Sequence, residues 1–167
     1  MSVTQDKSSL SPEKQLVVFR ISDEEFGVEI SQVREIVRLV PITPIPRAPE
    51  FIKGVVNLRG SILPVIDLAQ RLNLKAIGHS DKTRVVVVEL EDSAVGMIVD
   101  EVTEVLRLAE KNIEQTPELI STEIKHEYLV GVGKLEQRLL ILIDLRQVLS
   151  PEEVEDMKKI NAVPKEK

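Results

Sequence analysis

Arginine, carboxylate, histidine and serine are the side chains of this sequence that could do chemistry, and their spacing decides which are placed to do it. Arg59 lies in Asn57-Leu58-Arg59-Gly60-Ser61, between two apolar runs. A glycine-assisted hairpin tip there exposes a guanidinium that is free to pair with a carboxylate. The bland alternative is a solubilising turn charge. His79 falls in a polar linker, residues 75–81, and reads as solvent-exposed. His126-Glu127 lacks the second histidine of a zinc-protease helix, and no Cys, His and Asp cluster has metal spacing. Gly131-Val132-Gly133-Lys134 lacks the glycine-rich run and trailing Ser or Thr of a phosphate loop, and reads as a strand. A nucleophilic serine needs a histidine partner, and neither histidine has a recognisable context. Asp67 and Asp144 look like two catalytic carboxylates, but each stands at the same strand-to-helix junction, where helix capping accounts for it. These patterns support neither catalysis nor a metal or cofactor.

The background to Arg59 is a duplication. Laid 77 positions later, residues 50–68 run without a gap onto 127–145. Glu50, Gly54, Val55, Leu58, Leu63, Ile66, Asp67 and Leu68 recur as Glu127, Gly131, Val132, Leu135, Leu140, Ile143, Asp144 and Leu145. Phe51 is answered by Tyr128, the only tyrosine. These are 8 identities in 19 positions. Average residue usage gives roughly one or two by chance. Asn57, Arg59 and Gly60, however, become Lys134, Glu136 and Gln137. What both copies share reads as scaffold, and what only the first carries is a candidate for function.

Shifted by 69, residues 17–39 lie on 86–108, again without a gap. Val17, Gly27, Val33, Glu35 and Arg38 meet Val86, Gly96, Val102, Glu104 and Arg107. The change of offset places one insertion of 8 residues between Ala109 and His126. A period near 70 is too long for a solenoid and suits two related halves of one globule. The repeat also frames Glu35, whose counterpart Glu104 faces Glu136, the counterpart of Arg59. Two halves that fold alike oppose a carboxylate to a guanidinium in the first copy and two acids in the second. Only the first copy is then expected to hold this ion pair.

Composition narrows the class. At 167 residues, 43% hydrophobic and 30% charged, the chain is ordinary globular material, long enough for one domain or two small subdomains. No apolar run approaches the ~20 residues of a membrane span, and the N-terminal segment lacks a signal-type apolar core. Zero cysteines exclude thiol chemistry, Fe–S clusters and disulfides, and fit a cytosolic home. A net charge of −6 with 3 Phe, 1 Tyr and no Trp argues against nucleic acid, which wants a basic face and stacking rings.

Period and punctuation give the elements that must position these residues. Residues 15–21 and 26–30 read as strands around a turn at 22–25. Ser31 is expected to cap a short helix carrying Glu35, with Val33, Ile36 and Val37 on one face. Pro41, Pro44, Pro46 and Pro49 make residues 40–50 an extended connector. Residues 55–58 and 62–66 form a hairpin across Arg59-Gly60-Ser61, and Asp67 caps a short helix to about Leu72. In the second half, strands are expected at 84–90, 95–99, 129–135 and 138–143. Ser150-Pro151-Glu152-Glu153 is a capping box with proline first, opening a helix at 150–160. Residues 1–14 read as a flexible segment and 161–167 as a charged tail. Many short strands, twice over, indicate a mostly β fold of two small barrels.

At these residues the chain resembles the CheW family, the coupling proteins of bacterial chemotaxis. The resemblance covers residues 15–149. It rests on E-E-F-G-V-E-I-S-Q-V-R-E-I, P-x-F-I-K-G-V-V-N-L-R-G-x-I-L-P-V-I-D-L, V-G-M-I-V-D-E-V and E-Y-L-V-G-V-G. It implies two pseudo-repeated five-stranded SH3-like β-barrel subdomains, intertwined or side by side, with repeat halves at about 16–72 and 84–149. It also implies a non-enzymatic adaptor in cytoplasmic, membrane-associated receptor arrays. Its partners would be the cytoplasmic hairpin of chemoreceptors and the regulatory domain of the histidine kinase CheA. Family knowledge marks Glu35 and Arg59 as functional, with Asn57 and Gly60 beside Arg59. No receiver domain accompanies the module in this sequence, so a stand-alone coupler is preferred. A small-molecule or polysaccharide-binding barrel is the alternative, weakened by the scarcity of aromatic residues.

The resemblance places the receptor hairpin in a groove between the barrels. Ile30 and Val33 correspond to Val99 and Val102, and pseudo-twofold packing would bring such positions to both walls of one cleft. Apolar walls suit an amphipathic helix. Each of these residues also fits plain inter-barrel core.

Overall fold

Alternating β-branched residues make strand the dominant secondary structure of the described residues. The computed structural model describes residues 12–75, 78–115 and 128–161. His126, Glu127, most of the N-terminal segment, most of the insertion and the tail from 162 lie outside those residues. In chain order the strands are β1 (Glu13–Ile21), β2 (Glu24–Glu29), β3 (Val33–Arg38), β4 (Ile52–Leu58), β5 (Ser61–Asp67) and β6 (Arg84–Leu90). They continue as β7 (Ser93–Val99), β8 (Glu101–Ala109), β9 (Ile113–Gln115), β10 (Leu129–Lys134) and β11 (Leu139–Ile143). The α-helices are α1 (Leu68–Arg71) and α2 (Pro151–Asn161), and 3-10 turns occupy Ile30–Gln32, Glu110–Asn112 and Leu145–Gln147.

The strands form two sheets, ordered β8-β1-β2-β11-β10-β9 and β3-β6-β7-β5-β4. Neither sheet coincides with one half of the repeat. The hairpin β1–β2 sits among second-half strands, and β6–β7 sits among first-half strands. The exchange keeps the repeat's register. Leu142 opposite Gly27 in one sheet answers Val65 opposite Gly96 in the other, and Val18 opposite Glu104 answers Val87 opposite Glu35. Gly27 and Gly96 recur because neighbouring side chains fill their space. A Cβ on Gly96 would lie 2.5 Å from Val85 Cγ1, and one on Gly27 would lie 3.0 Å from Leu142 Cδ2.

The closed barrels expected from the sequence are open sheets. No backbone pairing among the described residues joins β8 to β9 or β3 to β4. The segment that could extend the second sheet carries Pro41, Pro44, Pro46 and Pro49, which lack the N–H a strand must donate. It forms a single bridge, Thr43 to Val55.

Strand alternation sends side chains to two kinds of core. Val17, Phe19, Phe26, Val86, Met97 and Val99 belong to a core built from both sheets. Leu16, Val18 and Leu140 form a smaller cluster on the other face of the first sheet, as Leu63, Val85 and Val87 do on the second. α2 adds buried Val154, Met157 and Ile160 to the shared core and packs against β5 and β7. Its capping box is complete: Glu153 N donates to Ser150 Oγ at 3.1 Å, and Ser150 N donates to Glu153 Oε1 at 2.8 Å. Arg71 on α1 holds the helix from the side. Its Nε donates to Val148 O at 2.8 Å, Nη2 pairs with Glu153, and the guanidinium lies 5.8 Å from the Phe51 ring centre. Asp67 and Asp144 both cap, accepting from Ala69 N at 3.1 Å and Arg146 N at 2.9 Å.

The helix expected to carry Glu35 is a 3-10 turn followed by strand β3, with no side chain capping the turn. The helix-like spacing of Val33 and Ile36 has another cause. Val33 pairs with Val88 and Glu35 with Val87, so Arg34 is an extra residue. Such a bulge turns residues i and i+3 to the same face. Val33 and Ile36 therefore share the face of Val88 and Val86, while Glu35 and Val37 turn to the other. β8 repeats the device. Val102 pairs with Phe19 and Glu104 with Val18, leaving Thr103 extra in a strand that the sequence reading did not contain.

Candidate functional site

The bulge in β3 places Glu35 beside the turn between β4 and β5. That turn is Arg59-Gly60, at φ 52 and 87, closed by the pair Leu58 and Ser61. Two positive φ values make it a type I′ turn, which favours Asn-Gly. An L-residue at such a backbone position costs about 1–2 kcal/mol. Asn57 holds the turn, its Oδ1 accepting from Gly60 N at 2.8 Å. Asn57 and Gly60 thus build the tip, and Arg59 is the side chain it presents.

Arg59 Nη2 donates to Glu35 Oε2 at 2.6 Å. The Arg59 side chain is 66% exposed and that of Glu35 28%. β3 and β4 are the outermost strands of this sheet, β4 being bridged on its outer side by Thr43 alone, so the pair reaches across the opening that a closed barrel would seal with backbone bonds. Together with Arg34, Leu58, Leu63 and Ala94, it lines an open depression of about 410 Å³.

The equivalent place in the other sheet does not oppose two acids. Glu104 pairs with Arg138, whose Nε also reaches Glu25 Oε1 at 3.1 Å. The expectation that only the first copy holds such a pair is therefore corrected. The cation has moved from the turn tip, where Glu136 stands, to the position of Ser61's counterpart. Presentation is what differs: Arg138 is held between two carboxylates, whereas Arg59 projects from a strained tip with one.

Ile30, Val33, Val99 and Val102 do not line one cleft together. Val99 is 1% exposed and lies in the shared core with Met157 and Ile160 of α2, so it forms no wall. The physical reason is its place at the end of β7, against which α2 packs. Val33 and Val102 are half-buried against the same core. Ile30, the counterpart of Val99, is 38% exposed. Both α-helices pack chiefly on β5 and β7, whose counterparts are β11 and β2. Ile36 and Val105, at equivalent positions on edge strands β3 and β8, are exposed as well. The sequence reading missed both as exposed residues. The signal was their equivalence once the bulges are placed.

Elsewhere the surface carries ordinary ion pairs. The hydrogen bond from Lys14 to the Glu29 carboxylate holds the Lys14 ammonium above its usual range, and Asp144 raises Arg146 in the same way. Among the described residues no cluster of His, Asp and Glu is placed to hold a metal ion, and no helix is long and apolar enough to cross a membrane.

The model of the CheW-like domain family matches residues 15–153. The chain belongs to that family. The chemotaxis protein CheW of Rhizobium meliloti (strain 1021) is 37% identical over 142 residues, covering 85% of this chain and 91% of that one. The chemotaxis protein CheW of Klebsiella aerogenes is 39% identical over 141 residues, 84% of each chain. The crystal structure of the scaffolding protein TtCheW from Thermoanaerobacter tengcongensis matches with a TM-score of 0.75 at 38% identity, over 84% of this chain and 94% of that one. The mostly β, two-subdomain architecture with short helices is the CheW-like fold. Within it, this CheW-like chain sets its Glu35–Arg59 pair on one open sheet edge and its exposed Ile30 where the chain crosses between sheets.

Proposed function

We propose that this chain is a non-enzymatic adaptor of chemotaxis signalling. It couples the cytoplasmic tips of chemoreceptors to the regulatory domain of the histidine kinase CheA, inside membrane-associated receptor arrays. The observation that carries this reading is the family match, which spans nearly the whole fold. Relatives named as chemotaxis proteins align over most of their own length.

Two surfaces serve the role. The first is the tip built by Asn57, Arg59 and Gly60 with Glu35, a rigid and mostly neutral contact. The second is the apolar margin of Ile30 with Val33 and Val102, which receives an amphipathic receptor helix by its apolar face. Val99 supports that margin from the core and touches no partner. A pull-down with a receptor cytoplasmic fragment and the CheA regulatory domain tests the reading, with capture of both as the expected result. Capture of neither, with retention of a small molecule or polysaccharide instead, would favour a ligand-binding module.

A further inference from the structure

Among the described residues, six other than glycine have positive φ: Ser22, Arg47, Arg59, Asn73, Glu91 and Asp92. This backbone region is unfavourable for L-residues unless the side chain tolerates it or the surroundings compensate. Asn73 and Asp92 are of the tolerant kind. Ser22 N donates to Asp100 Oδ2 at 2.7 Å, Glu91 accepts from Lys158 Nζ at 3.1 Å, and Arg59 is paired with Glu35. Arg47 has no such compensation. Among the described residues its exposed guanidinium makes neither an ion pair nor a hydrogen bond.

The turn that carries Arg47 is stiff. Ala48 N donates to Ile45 O at 3.2 Å, with Pro46 and Arg47 between them. Proline fixes a negative φ at the first central position, so the φ of 67 at Arg47 makes this a type II turn. The second central position of that turn favours glycine or asparagine. Ile45 and Ala48 pack against the shared core, and Pro44 and Pro49 bracket them. The base is anchored and the tip points to solvent. Glycine at Arg47 would relieve the backbone and break no hydrogen bond or ion pair among the described residues.

The geometry points to Arg47 as a partner-contact residue whose guanidinium pairs with a carboxylate of a partner protein. A net charge of −6 on the chain opposes extended anionic surfaces such as nucleic-acid phosphates and anionic lipid, whereas a single carboxylate on a protein partner can pair locally with one guanidinium. β4 has 7 residues and spans roughly 20 Å. It separates this turn from the Arg59 turn at its other end. Arg47 therefore serves a contact distinct from the Glu35–Arg59 tip. The identity of the partner rests on the adaptor reading.

The test measures affinity for the CheA regulatory domain and for the receptor cytoplasmic fragment, together with Tm, for wild type, Arg47→Gly and Arg47→Lys. Arg47→Gly is expected to melt at or above the wild-type temperature and to lose about fivefold or more in affinity for one fragment. The loss should shrink in high salt, as expected for an exposed charge contact, and Arg47→Lys should recover part of it. An Arg47→Gly protein that binds both fragments as wild type does overturns the inference. So does one that melts well below wild type, because the arginine would then be structural. Wild-type binding tests the adaptor reading, and the difference between wild type and variant tests this one, so the two fail separately.

Discussion

Arg59 meets Glu35 across the two edge strands of one open sheet, from a turn whose backbone disfavours an arginine. An exposed pair of this kind contributes only ~0.2–1 kcal/mol to stability. Reversing either charge should leave Tm within a few degrees of wild type while impairing binding to receptor or kinase. The double reversal, Glu35→Arg with Arg59→Glu, separates two mechanisms. Recovered binding means that the pair acts as an internal brace, and continued failure means that the partner reads each charge. Single reversals that bind both partners normally would remove this tip from the contact surface.

Ile30 and Val99 are repeat equivalents with opposite environments, so the same substitution should do different things to them. Val99→Glu buries an unpaired charge at a cost of several kcal/mol and should lower Tm by roughly 10 °C or more. Ile30→Glu should fold, melt near wild type and bind the receptor fragment less tightly. Calorimetry followed by binding of the folded variant checks both. A folded Ile30→Glu protein with wild-type receptor affinity would place the groove elsewhere.

The glycines make a second contrast. Gly96→Ala puts a methyl group against Val85 and Val65 and should cost about 1–3 kcal/mol by overpacking. Gly60→Ala meets nothing within 4 Å and should cost only the backbone term, about 1 kcal/mol. Val85→Ala should cost less in the Gly96→Ala background than in wild type, and its full cavity cost in the Gly60→Ala background, which chemical denaturation of the five variants would show.

Glu153 closes the capping box of α2 and pairs with Arg71. Ser150→Ala should cost about 1 kcal/mol. Arg71→Met, which also leaves Val148 O without its donor, should cost about 1–2 kcal/mol. Because both substitutions converge on Glu153, the double variant should depart from additivity. Strict additivity in urea unfolding would mean that the two contacts are independent.

Much of this was legible in the sequence, and the misses have physical causes. The Asp67 cap, the Ser150 capping box, the Arg59-Gly60 tip and the strand repeat follow from local turn and cap chemistry. Glu35 was placed on a helix because a bulge reproduces the i, i+3 spacing of Val33 and Ile36. The Glu104 partner was misplaced because its cation lies two residues beyond the turn tip, at Arg138. Val99 lies in the core and not in a cleft wall because α2 packs against β7, which equivalence in sequence does not reveal. Which copy of a repeated hairpin pairs with which sheet is a non-local choice, and the local pattern does not contain it.

The adaptor role is tested most directly by CheA autophosphorylation flux with and without this chain and receptor fragments. Flux should rise only when chain, kinase and receptor are all present. Comparable stimulation of the kinase by the chain without receptor, or none with all three, would contradict the coupling role.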